Sequence, residues 1–176
     1  MIAMATIFLL HGPYGPGGLT LPDVYSLETY EPRRGLGHLI GRARSQLLAA
    51  IDSELARDEL LGPLEVTAAQ LIVIVNLAGL GCATSASELC KGISYDAGAM
   101  TRMLDRLEAK GLVRRTRSPD DRRLVNLELS DAGQAAYPRL REVSMRVLNH
   151  SLRDFTHDEA RTLETLLQRL ARNIGE

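Results

Sequence analysis

The amino-acid sequence predicts a mainly α-helical protein with one small β-hairpin. Several stretches carry apolar residues three or four positions apart, which is the pattern of an amphipathic helix. The run Val113–Leu129 instead has two strand-like segments on either side of the turn Pro-Asp-Asp, which is typical of a hairpin. Because the hairpin follows closely spaced helices, the order of elements indicates a winged helix-turn-helix with further helices on both sides.

The composition favours one globular domain in a reducing compartment. The chain has 176 residues, of which 45% are hydrophobic, and this is enough for a core. Two cysteines do not make a disulfide framework, so we expect a cytoplasmic protein. The apolar segment Ile2–Leu10 is shorter than the roughly 20 residues of a membrane span and lacks a signal peptide's charged start, so no membrane association is expected.

The predicted elements divide the chain into four parts. Residues 1–30 are rich in Gly and Pro and read as an irregular arm. Residues 31–62 carry one long helix that Gly62 and Pro63 end. Residues 63–130 hold three helices and the hairpin, and residues 131–176 hold two more helices.

Sequence signals mark most of the helix ends. Three capping boxes, in which a Ser or Thr precedes a Glu or Gln by three residues, begin at Thr67, Ser85 and Thr156. Ser94 is the predicted cap of the next helix, residues 95–110, and Gly111 stands where a left-handed C-terminal cap belongs.

Positive charge is concentrated around the hairpin. Between Met100 and Arg123 there are eight Lys and Arg but four Asp and Glu, although the whole chain has a net charge of -1. Such asymmetry indicates a surface that binds a polyanion, and a solvated charged hairpin is the alternative.

The helix before the hairpin and the hairpin itself supply the candidate contacts to double-stranded DNA. In a helix-turn-helix the second helix lies in the major groove, and a wing arginine can enter the minor groove. We interpret Asp121 as holding the wing loop, and Asp96 as favouring the helix dipole or accepting a bond from cytosine. The candidates are Ser94, Tyr95, Asp96, Ala97, Gly98, Thr101 and Arg102 on the recognition helix, and Arg115, Arg117, Arg122 and Arg123 on the wing.

These motifs together resemble the DNA-binding core of the MarR family, the multiple-antibiotic-resistance regulators of bacteria. The resemblance rests on the helix motif "TRMLDRLEAKGLVRR" and the wing motif "DDRRLVNLELSDAG". It implies a bacterial homodimer in which the first helix and the last two helices form the dimerisation region. It also implies a pseudo-palindromic operator and repression of an efflux or stress-response gene, relieved by a small aromatic or phenolic ligand or by an oxidant.

The releasing signal has only weak candidates in the sequence. His38, Arg42 and Asn76 are polar residues in elements that resemble the family's ligand pocket, although each is more often an ordinary surface or core group. Cys82 and Cys90 are the candidate redox residues, but a buried cysteine such as Cys90 is usually inert. The chain has no tryptophan, which departs from the urate-responsive branch of the family.

An enzyme is not indicated, because no phosphate loop, metal-ligand spacing or nucleophile elbow occurs. We therefore expect no cofactor and no metal. The alternative function is a winged-helix module for protein interaction or dimerisation that does not bind DNA. The arginines around the wing tip favour DNA, because a protein-binding module does not need them.

Overall fold

A computed structural model describes residues 23–80, 85–93, 95–117 and 125–175 and confirms a mainly helical fold with a two-stranded antiparallel sheet. The elements in chain order are α1 (Leu36–Arg57), a 3₁₀ turn (Gly62–Leu64), α2 (Ala68–Leu80), α3 (Ala86–Ile93), α4 (Ala97–Ala109), β1 (Val113–Arg117), β2 (Val125–Leu129), α5 (Asp131–Ser151) and α6 (His157–Gly175).

The chain forms two compact units, Met1–Ile40 and Gly41–Glu176. In the described part of the first unit, Ser26 and Thr29 exchange side-chain and backbone hydrogen bonds across a turn. The rings of Tyr25 and Tyr30 meet edge to face at 5.4 Å. Most of the predicted irregular arm, residues 1–22, lies outside the described residues.

The three predicted capping boxes are confirmed. Around α2, the Thr67 N–H donates to Gln70 Oε1 (3.1 Å) and the Gln70 N–H donates to Thr67 Oγ1 (3.3 Å). Ser85 and Glu88 repeat this exchange before α3, and Thr156 and Glu159 repeat it before α6. The bonds to Ser85 and Thr156 lower the pKa of Glu88 and Glu159. Local hydrogen bonds therefore set these three helix starts.

The core of the second unit forms around α2, which packs against α3, α5 and β2. This helix is apolar on most sides, as the sequence predicts, and six of its thirteen residues are buried. The helix-turn-helix pair, α3 and α4, packs on the same core, and β1 contacts α4. The fully buried residues Leu89, Met100, Leu104 and Leu107 fix the inner faces of the pair.

Helix α1 ends at Arg57, four residues before the predicted end, because Asp58 redirects the chain. The Asp58 carboxylate accepts hydrogen bonds from the N–H groups of Leu60 and Leu61, both at 3.2 Å. The Asp58 carboxylate, whose side chain is only 2% exposed, also accepts a hydrogen bond from Arg139 Nε of α5 at 2.9 Å. Burial alone would raise the pKa of Asp58, but these donors together lower it. Asp58 thus ties the end of α1 to α5.

We expect Asp58→Asn to lower the Tm by roughly 5 °C at pH 7, because an amide cannot replace a buried carboxylate that has three donors. A carboxyl whose pKa is lowered by folding stabilises the protein above its unfolded pKa of about 4, and this contribution is lost as the pH falls through the folded pKa. The Tm difference between wild type and variant should therefore shrink between pH 5 and pH 3. Asp154→Asn, at an exposed position, is the control, and a difference independent of pH would contradict the role of Asp58.

Candidate nucleic-acid interface

The recognition helix α4 begins at Ala97 rather than at Tyr95, and its N-terminal cap is Asp96. The backbone of Asp96 is extended, and its Oδ1 accepts a hydrogen bond from the Ala99 N–H at 2.8 Å. Ser94, the predicted cap, lies outside the described residues. Tyr95 is half-buried against the core, so it is less available to DNA than expected. Asp96 thus takes the capping role that the sequence assigned to Ser94, and its carboxylate lies at the helix start, where the helix dipole favours negative charge.

The exposed face at the start of α4 consists of small residues and one arginine. Ala97, Gly98, Thr101 and Arg102 are all exposed. The Thr101 hydroxyl donates to the Ala97 carbonyl at 2.8 Å, which leaves its methyl group and oxygen lone pairs for a ligand. A Cβ on Gly98 would lie 3.6 Å from Arg102 Nη1, so the guanidinium reaches back along the helix toward its start. The predicted recognition residues from Ala97 to Arg102 therefore share one open surface.

The sheet β1–β2 lies beside α4, and one arginine of β1 forms ion pairs with carboxylates of α4. Arg115, opposite Leu127 in the register, donates to Asp105 at 2.7 Å and to Glu108 at 2.5 Å, both on α4. Partial burial would lower the pKa of Arg115, but these two carboxylates raise it. Arg115 was predicted to contact DNA. In the structure Arg115 clamps the wing to the recognition helix, and its contact with DNA stays a prediction.

Of the remaining wing candidates, the structure describes Arg117 but not the residues of the turn. Arg117 is exposed at the end of β1 next to the turn and faces Val125 across the sheet. The turn itself, with Asp121, Arg122 and Arg123, lies outside the described residues. Arg114 bonds Glu128 at 2.8 Å, so this strand also carries an arginine held by the sheet.

Sequence reasoning missed the groups that position α4. Lys110 Nζ donates to the carbonyls of Leu64 (2.7 Å) and Glu65 (2.6 Å), which holds the helix end against the loop before α2. Gly111 has a φ of +69°, as predicted for a left-handed cap. The spacing of Asp105 and Glu108 puts both carboxylates on one helix face, but which arginine they meet depends on how β1 packs against α4.

The candidate signal residues that the structure describes have different surroundings. His38 and Arg42 are exposed on α1. The Asn76 amide on α2 donates to the Ile72 carbonyl at 2.8 Å within its own helix. Cys90 is a free, half-buried thiol that packs against the core from α3, whereas Cys82 lies outside the described residues. These positions leave the ligand and redox assignments as predictions.

Two kinds of feature are absent from the described residues. Among them, no three His, Cys, Asp or Glu side chains come together as a metal ion would require. No described helix has the length and apolar character needed to cross a membrane.

Known proteins resemble this chain in sequence and in fold. A sequence model of the MarR family matches residues 66–125. The multiple antibiotic resistance protein MarR of Escherichia coli K12 is 36% identical over 140 residues, which cover 79% of this chain and 90% of the relative.

Two solved structures of the E. coli protein share the fold. A cysteine-to-serine variant complexed with operator DNA is 34% identical, covers 77% of this chain and 92% of its own, and has a TM-score of 0.67. The oxidized form is 31% identical, covers 78% and 94%, and has a TM-score of 0.63.

Proposed function

The chain belongs to the MarR family of transcriptional regulators, and from this premise we propose that it is a homodimeric repressor of an efflux or stress-response gene. One observation carries the DNA-binding part of the proposal. The start of α4 exposes Ala97, Gly98, Thr101 and Arg102 as one surface beside a basic strand. The bound operator in the structure of the E. coli relative supports the same use of the fold.

The proposed contacts are of two kinds. Some residues would recognise bases, and others would attract the negatively charged DNA backbone. Arg102 and Thr101 would meet base edges in the major groove, where an arginine recognises guanine. Arg117, and in the turn Arg122 and Arg123, would meet phosphates or the minor groove. Asp121 would hold the turn through an arginine.

The salt dependence of DNA binding should separate Arg117 from Arg115. We expect Arg117→Ala to reduce the steepness of log K against log salt concentration by about 1, which corresponds to the loss of one phosphate contact. The reason is that the charge of Arg117 is exposed. Arg115→Ala should leave the slope unchanged, because Asp105 and Glu108 already neutralise that charge. Fluorescence anisotropy with the DNA upstream of the protein's own gene, at 50–200 mM salt, measures both.

Two results would count against the proposal. If the wild-type protein binds neither upstream DNA nor random DNA, even at low salt, then a protein-interaction module becomes the better proposal for its function. If Arg115→Ala flattens the slope as much as Arg117→Ala, then Arg115 contacts phosphate despite its two carboxylates. Arg123→Ala provides a third variant that reports on the wing tip.

The proposal of a homodimer rests on the exposed apolar face of helix α6. None of its nineteen residues is buried in the single chain. Its face nevertheless presents Leu163, Leu166, Leu167 and Ile174, with exposures of 39 to 68%. In proteins most of a helix's stability comes from packing its apolar face rather than from helix propensity, and a large exposed apolar patch marks an interaction site. The second copy of the chain is the proposed cover.

We expect Leu166→Glu to shift the protein from dimer to monomer at micromolar concentration in sedimentation velocity, because it places a charge in the proposed apolar contact. Glu164→Gln on the same helix is the control and should leave the dimer intact. A wild-type protein that sediments as a monomer would contradict the dimer proposal directly.

A small aromatic or phenolic ligand, or an oxidant acting on a cysteine, is the proposed releasing signal. The crystal structure of an oxidized form of the E. coli relative supports a redox response in this family, with Cys82 and Cys90 as the candidates here. We propose a cytoplasmic location in a bacterium, without a cofactor or enzymatic activity.

A further inference from the structure

Lys110, the C-terminal cap residue of α4, links two parts of the chain that are distant in sequence. Its ammonium donates to the carbonyls of Leu64 (2.7 Å) and Glu65 (2.6 Å), which lie in the loop between α1 and α2. Within the described residues these two oxygens are its hydrogen-bond partners, and it forms no ion pair. Two of the three donors of this half-buried ammonium therefore hold the backbone of the loop.

The loop that Lys110 contacts is fixed by its own interactions. Leu61 and Val66 are buried in the core, and the Asp58 carboxylate holds the first turn of the loop. Glu65 has a φ of +49°, a left-handed conformation that residues other than glycine rarely adopt. The last carbonyls of the 3₁₀ turn need donors from outside the turn, and Lys110 supplies them. The end of α4 is therefore bound to a well-packed part of the protein.

The other contacts of α4 fix its angle less directly. Its inner face is apolar, and apolar packing has no preferred direction. The ion pairs of Arg115 join α4 to the wing, which follows α4 in the chain. The hydrogen bonds of Lys110 are directional, and they join α4 to the loop that continues from α1.

We propose that Lys110 is a positioning residue for operator recognition. Because it fixes the C-terminal end of α4 on the loop, it sets the angle at which α4 presents Arg102 to a base pair. The inference rests on the proposed DNA-binding function and names a residue that controls the specificity of binding without contacting DNA.

The distance between Lys110 and Arg102 makes this angle important. Arg102 lies eight residues before Lys110, which corresponds to about 12 Å along the axis of an α-helix. A tilt of about 10° at the fixed end would therefore move Arg102 by about 2 Å. The paired hydrogen bonds of an arginine with guanine would not survive such a displacement. Phosphate contacts depend more on charge than on exact geometry, so binding to random DNA would change less.

Lys110→Met tests the inference, because methionine keeps the apolar stem but removes the charge and the donors. In anisotropy titrations of the full-length protein, we expect an affinity for the upstream duplex that is about tenfold lower, and a change of less than about twofold for a random duplex. The salt dependence should stay that of wild type, because Lys110 contacts no phosphate. Lys110→Arg keeps the charge and several donors and should restore most of the affinity for the upstream duplex.

A double variant shows whether Lys110 acts through Arg102. If it does, adding Lys110→Met to Arg102→Ala should weaken binding to the upstream duplex by less than about a further twofold, whereas independent effects would multiply. A purely structural role would lower the Tm without this coupling. The Tm of each variant is therefore measured by circular dichroism, and binding is measured well below it.

Two further variants are matched controls. Lys91→Met removes the same charge from an exposed position on α3 and should keep the ratio of upstream to random affinity. Glu65→Gln should bind like wild type, because Lys110 bonds the Glu65 carbonyl rather than its carboxylate. If Lys110→Met does not fold, the shorter and uncharged Lys110→Gln takes its place.

Three results would overturn the inference alone, in a wild-type protein that binds the upstream duplex specifically. The first is an unchanged ratio of upstream to random affinity in the folded Lys110 variant. The second is an equal loss on both duplexes with a salt dependence reduced by about 1, which would make Lys110 a phosphate contact. The third is an effect that is additive with Arg102→Ala. A wild-type protein that binds neither duplex at low salt would instead contradict the proposed function, and the inference with it.

Discussion

Replacing Arg102 with alanine is expected to weaken binding to the operator by about 10- to 100-fold, with a smaller loss on random DNA. One arginine that bonds two groups of a base contributes roughly 1–3 kcal/mol of discrimination. The guanidinium extends along the exposed face of α4 toward Gly98, at the end of the helix that we propose enters the major groove. Anisotropy titrations with operator and random duplexes at one salt concentration give both affinities.

Arg106→Ala is the matched control for this experiment. Arg106 is exposed on the same helix, but it lies one turn further from the start. Its removal deletes the same charge and should reduce both affinities modestly while keeping their ratio. If Arg102→Ala also preserves the ratio of operator to random binding, Arg102 is a phosphate contact and base reading belongs to other residues.

Replacing Gly133 with alanine is expected to destabilise the protein by about 3 kcal/mol, at the upper end of the usual cost of overpacking. Gly133 is buried in the first turn of α5. A Cβ there would overlap the carbonyl oxygen of Leu112 and would lie 3.0 Å from its carbonyl carbon. Both neighbours are backbone, so no flexible side chain can move aside.

The surroundings of Gly133 explain why this backbone cannot yield easily. The Leu112 carbonyl accepts a hydrogen bond from the Ser130 N–H at 3.1 Å. The Ser130 hydroxyl donates to the Gly111 carbonyl and accepts from the Gly133 N–H at 3.0 Å. A shift of α5 would therefore strain the cap of α5 and the end of α4 together.

Urea unfolding at a fixed protein concentration measures this loss. Gly79→Ala is the control, because a Cβ on Gly79 meets nothing within 4 Å and alanine is the better helix former. It should change the free energy of unfolding by no more than about 1 kcal/mol, in the stabilising direction. Equal stability of Gly133→Ala and wild type would show that the helix can move without loss.

The sequence alone determined the features that depend on near neighbours. Thr67, Ser85 and Thr156 cap their helices through residues three positions away, and such bonds form wherever the local spacing permits them. The left-handed cap at Gly111 and the pairing of the two strands likewise follow from local conformation and alternation. The fold class and the exposed start of the recognition helix were predictable for this reason.

The tertiary structure decided which charges remain available and which side chains can fit. Arg115 and Arg117 are equivalent in the sequence, but the approach of α4 to β1 neutralises one and leaves the other exposed. Asp58 meets Arg139 across 81 positions of the chain, next to the point where α1 ends earlier than predicted. The close approach of Gly133 to Leu112 also depends on how two elements pack. Local propensity carries no information about such contacts, because packing creates them.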